Sequence, residues 1–259
     1  MLCGKRISDD STVIAYDEEK ANGPFACPEC DDEVVLHKGR LKVHHFAHKP
    51  PTTCSHGKGE TEIHRQCKVA IYEGLLAQPH VTKAKLERDL TSVRPDISAR
   101  IGDFHVAIEV QISALPAETV IHRTVEYATK GIYLLWLAQW TPELDSDTYR
   151  PRALERWLHA AYFGRVYYWQ SGLTVVPYHF ESVQKLKEVR EWYEPGGIHQ
   201  SVGGYSYRLK SIKKPIRGKP LNLATDFIGV KRQEWETKSM SVPTCLLFQD
   251  KFPKFMADE

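Results

Sequence analysis

Apolar positions recur three or four residues apart in three segments of the chain, which is the spacing of a buried helix face. The first segment covers residues 60–77 and stops before Pro79, a residue that ends helices. The second begins at Pro116, which a first helical turn tolerates, and closes at Gly131. The third covers residues 152–163. These patterns predict three amphipathic helices.

Strand patterns fill the space between and after the helices. Residues 81–86 and 94–101 are the first two candidates, and residues 104–113 alternate apolar and polar side chains after a Gly-Asp turn signal. Residues 132–138 are apolar throughout, as expected for a strand covered on both faces. A further hairpin is predicted over residues 166–176. The order helix, three strands, helix, strand predicts an α/β fold (an α+β mixed sheet) with at least one parallel strand pair.

The overall composition predicts a globular protein without a membrane span. The 259 residues are 42% hydrophobic and 26% charged, which are ordinary values that exclude a collagen-like, coiled-coil or disordered acidic chain. No run approaches the roughly 18 apolar residues needed to cross a bilayer. Because the N-terminus becomes polar at once, we expect no signal peptide and a cytoplasmic location. Of the six cysteines, only Cys27 and Cys30 are closely spaced, which favours thiols that are reduced or metal-bound.

The alternation in residues 104–113 places polar chemistry at one end of the sheet. If the apolar residues of this strand face the core, Glu109 and Gln111 project from the opposite face. Asp96 lies on the adjacent strand of the predicted hairpin and can meet Glu109 at the same end of the sheet. Two close carboxylates repel each other unless a cation lies between them, and a hard divalent ion suits oxygen ligands. The alternative is that both acids are ordinary surface residues of a hairpin.

Polar side chains on the two flanking helices can border this carboxylate pair. Glu60, His64 and Lys68 are spaced four residues apart, which places them on one face of the first helix. Arg123 and Tyr127 have the same spacing on the second helix. Each stripe alone fits a solvated helix face, but their joint position around one sheet end favours a functional site.

A group of cysteine and histidine residues near the N-terminus predicts a zinc site. Cys27 and Cys30 are followed by His45 and His48, and two thiolates with two imidazoles can close a tetrahedral structural zinc site. The histidine spacing is shorter than in a DNA-reading finger, so we predict a zinc ribbon. Free thiols and scattered histidines in a loop are the alternative. The fourth ligand stays open, because three more candidate ligands are close in sequence: His44, Cys54 and His56.

Basic residues are concentrated near the C-terminus. The net charge is +2, yet residues 205–238 contain nine basic and three acidic residues, which leaves the rest of the chain acidic. This segment predicts contact with a polyanion such as DNA, through Arg208, Lys210, Lys213, Lys214, Arg217 and Lys219. A flexible solubilising tail is the alternative interpretation.

Several short motifs, in their order and spacing, resemble the competence protein CoiA family of the PD-(D/E)xK nuclease superfamily. The motifs are Cys-Pro-Glu-Cys at 27–30, His-Phe-Ala-His at 45–48, Glu-Thr-Glu-Ile-His at 60–64 with Lys68, Arg-Pro-Asp-Ile at 94–97, and Glu-Val-Gln-Ile-Ser at 109–113. The resemblance implies a zinc ribbon over residues 1–57, a restriction-endonuclease-like αβββαβ core over residues 58–180, and a basic C-terminal extension over residues 181–259.

The resemblance also implies roles for the site residues. Asp96 and Glu109 would bind catalytic Mg²⁺ or Mn²⁺, and Gln111 takes the position of the superfamily's usual lysine, as in CoiA-like proteins. Because an amide hydrogen-bonds but carries no charge, Lys68 could supply the missing cation. The remaining implied roles are metal binding or proton transfer by Glu60 and His64, and phosphate contact by Arg123 and Tyr127.

These observations predict a metal-dependent deoxyribonuclease that acts on DNA in recombination, competence or defence, with a catalytic Mg²⁺ or Mn²⁺ and a structural Zn²⁺. The main alternative is a non-catalytic DNA-binding or recombination-accessory protein on a nuclease-like fold, since Gln111 replaces the usual lysine. A third hypothesis is an adaptor that binds a protein partner through its C-terminal extension.

Overall fold

The computed structural model describes residues 1–54, 56–57, 59–111 and 115–258. The N-terminal strands are β1 (Cys3–Arg6), β2 (Thr12–Ile14), β3 (Phe25–Ala26), β4 (Glu33–His37) and β5 (His45–His48). The central elements are α1 (Glu62–Leu76), β6 (Val81–Leu86), β7 (Ile97–Ile101), β8 (Phe104–Gln111), α2 (Ala117–Thr129) and β9 (Tyr133–Ala138). The C-terminal elements are α3 (Ala153–Ala161), β10 (Val166–Ser171), β11 (Thr174–Lys187), β12 (Arg190–Glu194), β13 (Ile198–Val202), β14 (Tyr205–Arg217), β15 (Leu221–Asn222), β16 (Phe227–Arg232), β17 (Trp235–Thr237), β18 (Met240–Val242) and β19 (Cys245–Asp250).

Helix α1 begins where the sequence provides a capping residue. The Thr61 hydroxyl accepts a hydrogen bond from the His64 amide at 3.2 Å, which satisfies one amide of the first turn. Cys67, Ile71 and Leu75 lie four residues apart and are buried, so they form the apolar face that packs into the core. The helix predicted over this segment is confirmed.

The central elements occur in the predicted order and form a mixed sheet. Strand β7 pairs antiparallel with both β6 and β8, and β8 pairs parallel with β9. The parallel pair arises because α2 carries the chain back across the sheet. Residues 134–137 of β9 are fully buried, as expected for a strand covered on both faces. Strand β8 is described as far as Gln111, and the predicted strand residues 112–113 lie outside the described residues.

Residues after position 180 complete the core, which corrects the expected separate extension. Strand β11 runs through position 181, so the expected boundary falls inside a strand. Strand β19 pairs antiparallel with β16 and joins β9 where Leu247 meets Leu134. Leu247 and Phe248 are fully buried in the main hydrophobic cluster. Strand β19 therefore lies beside β9 in the sheet, and its buried side chains belong to the core and not to a solubilising tail.

Strands β11 and β14 of the main sheet stay paired beyond the hydrophobic core and form a two-stranded arm. Residues 184–187 pair with residues 205–208, and strands β12 and β13 form a hairpin at the tip. Their side chains are mostly exposed. We call residues 184–208 the arm.

The N-terminal strands form their own antiparallel sheet in the order β2-β1-β3-β4-β5. A small apolar cluster that includes Phe25, Val34 and Phe46 packs beneath it. Leu2 and Cys3 instead belong to the main hydrophobic cluster, so β1 joins the N-terminal sheet to the rest of the protein. Within the described part of the chain, no helix is both long and apolar enough to span a membrane.

Candidate active site and metal centre

The start of β7, the end of β8 and the facing sides of α1 and α2 border one cleft of about 460 Å³. Ile97 and Ile108 are register partners, so Asp96 and Glu109 occupy the next position on neighbouring strands. The cleft brings together seven residues that the sequence predicted for the site: Glu60, His64, Lys68, Asp96, Glu109, Gln111 and Arg123.

Asp96 is held in its ionised form. Its carboxylate accepts a hydrogen bond from the Val110 amide at 2.9 Å and lies 3.2 Å from His64 Nε2. Its other oxygen is 3.5 Å from Lys68 Nζ. Burial alone raises the pKa of Asp96, but the Lys68 ammonium and the hydrogen bonds from His64 and Val110 outweigh it, so the pKa lies well below its ordinary value.

The pKa of Glu109 is shifted in the opposite direction from that of Asp96. Its side chain is almost fully buried, and one oxygen accepts hydrogen bonds from the Tyr127 hydroxyl and the Arg123 guanidinium. Burial raises the pKa of Glu109 to about 8, since the opposing effect of Arg123 is partly cancelled by the nearby Asp96 carboxylate. The cleft therefore contains one ionised carboxylate beside a second that exchanges its proton near neutral pH. A cation bound between them would favour ionisation of both.

Tyr127 has a different position from the one expected. The sequence placed it with Arg123 on a polar stripe in contact with phosphate, but Tyr127 is fully buried. Its hydroxyl donates to Glu109, so it positions that carboxylate and has no access to a bound ligand. Arg123 does reach the cleft, where its guanidinium lies 5.6 Å from the centre of the Trp136 ring.

Lys68 is the centre of a buried charge network. Its ammonium contacts Glu60 Oε1, Glu87 Oε1 at 2.6 Å and Asp96 Oδ1 at 3.5 Å. Burial lowers the pKa of Lys68, but the three carboxylates outweigh that effect and raise it well above the ordinary value. The Lys68 side chain therefore carries a permanent positive charge. Asp96 shares this charge with Glu60 and Glu87, which lie closer to the ammonium.

Glu87 is the member of this network that sequence reasoning missed. It follows β6 directly and has a left-handed backbone with φ of 45°, a conformation uncommon outside glycine. Its carboxylate accepts hydrogen bonds from the amides of Leu2 at 2.9 Å and Cys3 at 3.0 Å. No periodic pattern marks this residue, because its partners are about 85 residues away in the chain. Through Glu87, the first strand of the N-terminal sheet is bonded to Lys68.

A second group of side chains forms a candidate metal centre in the N-terminal sheet. The ligand atoms of Cys27, Cys30, His48 and Cys54 all lie within 4.8 Å of one another, and Cys30 Sγ is 3.3 Å from His48 Nε2. Three thiolates and one imidazole fit the tetrahedral, closed coordination of a metal such as zinc. Among the residues that the structure describes, this is the one group of three or more such ligands that meets this distance.

His45 is not the fourth ligand, which corrects the expected set. His45 and His48 are three residues apart on β5, so their side chains point to opposite faces of the strand. The His45 ring stacks on His37 with 5.2 Å between ring centres, and its Nδ1 atom lies 2.9 Å from the Val43 carbonyl oxygen. Cys54, one of the alternatives that the sequence left open, takes the fourth position.

The six basic residues predicted to contact DNA lie away from the cleft. Arg208, Lys210 and Lys214 are exposed on β14, and Lys219 is exposed beyond it. Lys213 Nζ donates to the Ser182 hydroxyl at 3.3 Å. Arg217 forms an ion pair with Asp258 at 3.1 Å, so part of its charge is neutralised within the protein.

Two family models match the chain in consecutive regions. The model described as "Competence protein CoiA, N-terminal domain" matches residues 9–57, and "Competence protein CoiA, nuclease-like domain" matches residues 60–158. Competence protein CoiA of Bacillus subtilis (strain 168) is 30% identical over 116 residues, which are 44% of this chain and 31% of that protein. The match therefore spans less than a third of the relative's length. No solved structure matches the chain.

The fold and the two sites define a mixed α+β protein with a nuclease-like domain and a cysteine-histidine cluster able to hold a metal such as zinc. The two matched regions together cover more than half of the chain. The chain belongs to the competence protein CoiA-like family.

Proposed function

We propose that the protein is a metal-dependent deoxyribonuclease with a PD-(D/E)xK-type core. The observation that carries this proposal is that Asp96 and Glu109 border one cleft with the Lys68 ammonium. Two acids at neighbouring positions of one cleft form a pair suited to a hard divalent cation. The nuclease-like family match to residues 60–158 supports the same conclusion.

Asp96 and Glu109 would hold Mg²⁺ or Mn²⁺, which when bound supplies Lewis acidity for phosphodiester hydrolysis. Arg123, which lines the cleft beside Glu109, would contact a substrate phosphate. Gln111 orients the attacking water by hydrogen bonding, and Lys68 keeps Asp96 ionised.

Glu60 and His64 act beside this pair on α1. Glu60 is nearly buried and contacts the Lys68 ammonium, so we assign it the role of holding that charge in place. His64 Nε2 lies 3.2 Å from Asp96, so its ring is close enough to the carboxylate pair to pass a proton to or from the attacking water or the leaving group during hydrolysis.

We also propose that Cys27, Cys30, His48 and Cys54 bind a structural zinc ion. The donor set leaves no open coordination position, which is the property of a structural site. Zinc would fix the segment around Cys54, which is followed by the cleft residues His56 and Gly57.

The test is cleavage of linear, circular and single-stranded DNA by the purified protein with added Mn²⁺. We expect Asp96→Ala and Glu109→Gln to abolish cleavage while zinc content and circular dichroism stay unchanged. Glu73→Gln, an exposed substitution on the same helix as Lys68, is the matched control and should cleave normally. Cleavage by both site variants at the wild-type rate would contradict the proposal.

A non-catalytic DNA-binding protein is the second candidate. It is favoured by the uncharged Gln111 in the cleft and by the contact of Arg123 with Glu109. A gel-shift assay on the same DNA substrates separates the two functions. Shifted bands without any Mn²⁺-dependent cleavage would favour the binding protein.

A further inference from the structure

The arm has a cationic and aromatic face that lies outside the cleft. Lys185 and Tyr207 are register partners, and so are Lys187 and Tyr205. Because the two pairs are two residues apart, their four side chains project from the same face of the arm. The tyrosines are 51% and 42% exposed, respectively, for Tyr205 and Tyr207, so neither ring is used to fill a core.

The geometry within this face suits a ligand that is both planar and anionic. The two tyrosine ring centres lie 6.4 Å apart, and Lys187 Nζ is 5.5 Å from the centre of the Tyr205 ring. The Tyr205 ring therefore has an ammonium group beside it, and Tyr207 has Lys185 as its register partner on the same face. Nucleotides combine a planar base with a phosphate in this way.

The charge of the arm near these rings supports the same class of ligand. Residues 184–187 and 205–208 include three basic and no acidic side chains. The opposite face of this part of the arm carries Gln184 and Leu186 on β11 and Ser206 and Arg208 on β14. Two of the three basic side chains and both tyrosines thus lie on one side, where an anion can contact several of them at once.

We propose that this face binds a single strand of nucleic acid, with Tyr205 and Tyr207 stacking on successive bases and Lys185 and Lys187 contacting the flanking phosphates. Duplex DNA hides the faces of its bases inside the helix, so the two rings gain nothing from it. The proposal rests on the proposed function, because it specifies the strand type of the same nucleic-acid substrate. It depends on no group in the cleft.

The experiment measures fluorescence anisotropy of a labelled oligothymidylate with the full chain, in buffer without added Mg²⁺ or Mn²⁺. Replacing both tyrosines by alanine should weaken binding at least about tenfold, whereas replacing both by phenylalanine should preserve it. Replacing both lysines by alanine should reduce the slope of log affinity against log salt by about 1.4, since each phosphate contact contributes about 0.7. Gln184→Ala with Ser206→Ala, on the opposite face, is the control and should bind as the wild type does.

Two results would overturn this inference: equal binding of the alanine pair and the wild type, or binding of a duplex that is as tight and as sensitive to the tyrosines. The cleavage assay with Mn²⁺ distinguishes failure of the arm proposal from failure of the proposed nuclease function. If the tyrosine pair is needed for single-strand binding but the wild type cleaves nothing, the nuclease proposal fails and the arm proposal stands. If the wild type cleaves DNA normally but single-strand binding does not depend on the tyrosines, the arm proposal fails and the nuclease proposal stands.

Discussion

Replacing Glu87 by glutamine tests the charge network that bonds the N-terminal sheet to the cleft. The Leu2 and Cys3 amides and the Lys68 ammonium donate to Glu87, and the pKa of Glu87 falls from 4.5 to about 2 against the opposing effect of burial, mainly because of Lys68. Each pKa unit corresponds to about 1.4 kcal/mol, so the ionised carboxylate contributes about 3 kcal/mol to the free energy of unfolding. We expect Glu87→Gln to remove this contribution at pH 7 and to lower Tm by roughly 6–12 °C.

The pH dependence of this effect gives a sharper test than its size. Because the folded-state pKa is depressed, the contribution is present above pH 5 and is lost as the pH falls from about 5 toward 2. Urea unfolding of the wild type and of Glu87→Gln should therefore show a difference in the free energy of unfolding that shrinks as the pH falls through this range. Glu73→Gln, at an exposed site on α1, should cost less than about 0.5 kcal/mol at every pH. A cost of Glu87→Gln that is absent, or the same at pH 7 and pH 3, would refute the charge-based reasoning.

Two further predictions concern the metal centre and the C-terminal strands. Cys54→Ser should lower the zinc content of the purified protein to well below one ion per chain, whereas His45→Ala should leave it unchanged; loss of zinc in the His45 variant alone would contradict the assigned ligand set. Leu247→Ala should reduce the free energy of unfolding by about 2–5 kcal/mol because it leaves a cavity beside β9. Ile228→Ala, at a partly exposed position on the neighbouring β16, should cost much less, and equal costs in urea unfolding would argue against a core role for β19.

The periodicity of apolar side chains predicted the central elements well. Cys67, Ile71 and Leu75 can all face the protein core only if the chain forms a helix with 3.6 residues per turn. Their spacing therefore predicts the helix. The turn residues at Gly102-Asp103 similarly joined the two strands that carry Asp96 and Glu109. The strand alternation and the hairpin together fix the relative position of the two acids, which both line the cleft.

The candidate site was less predictable where its partners are distant in the chain. On β5, the alternation of side chains excludes His45 once His48 faces the cluster, but only the path of the chain to Cys54 shows which residue replaces it. Tyr127 belongs to a polar stripe in the sequence, yet Glu109 and the surrounding core bury it. The strands after position 180 also join the main sheet through contacts that no local pattern specifies.

The sequence by itself determined the helices and strands of the central region and the residue types of two sites, because hydrophobic periodicity and ligand chemistry are local properties. Only the tertiary structure decided that Glu87 bonds the first strand to Lys68 and that β19 pairs with β9. It also decided how far burial separates the pKa values of Asp96 and Glu109. The reason is that desolvation and charge–charge interactions depend on distances through space, and folding brings together residues that the chain holds far apart.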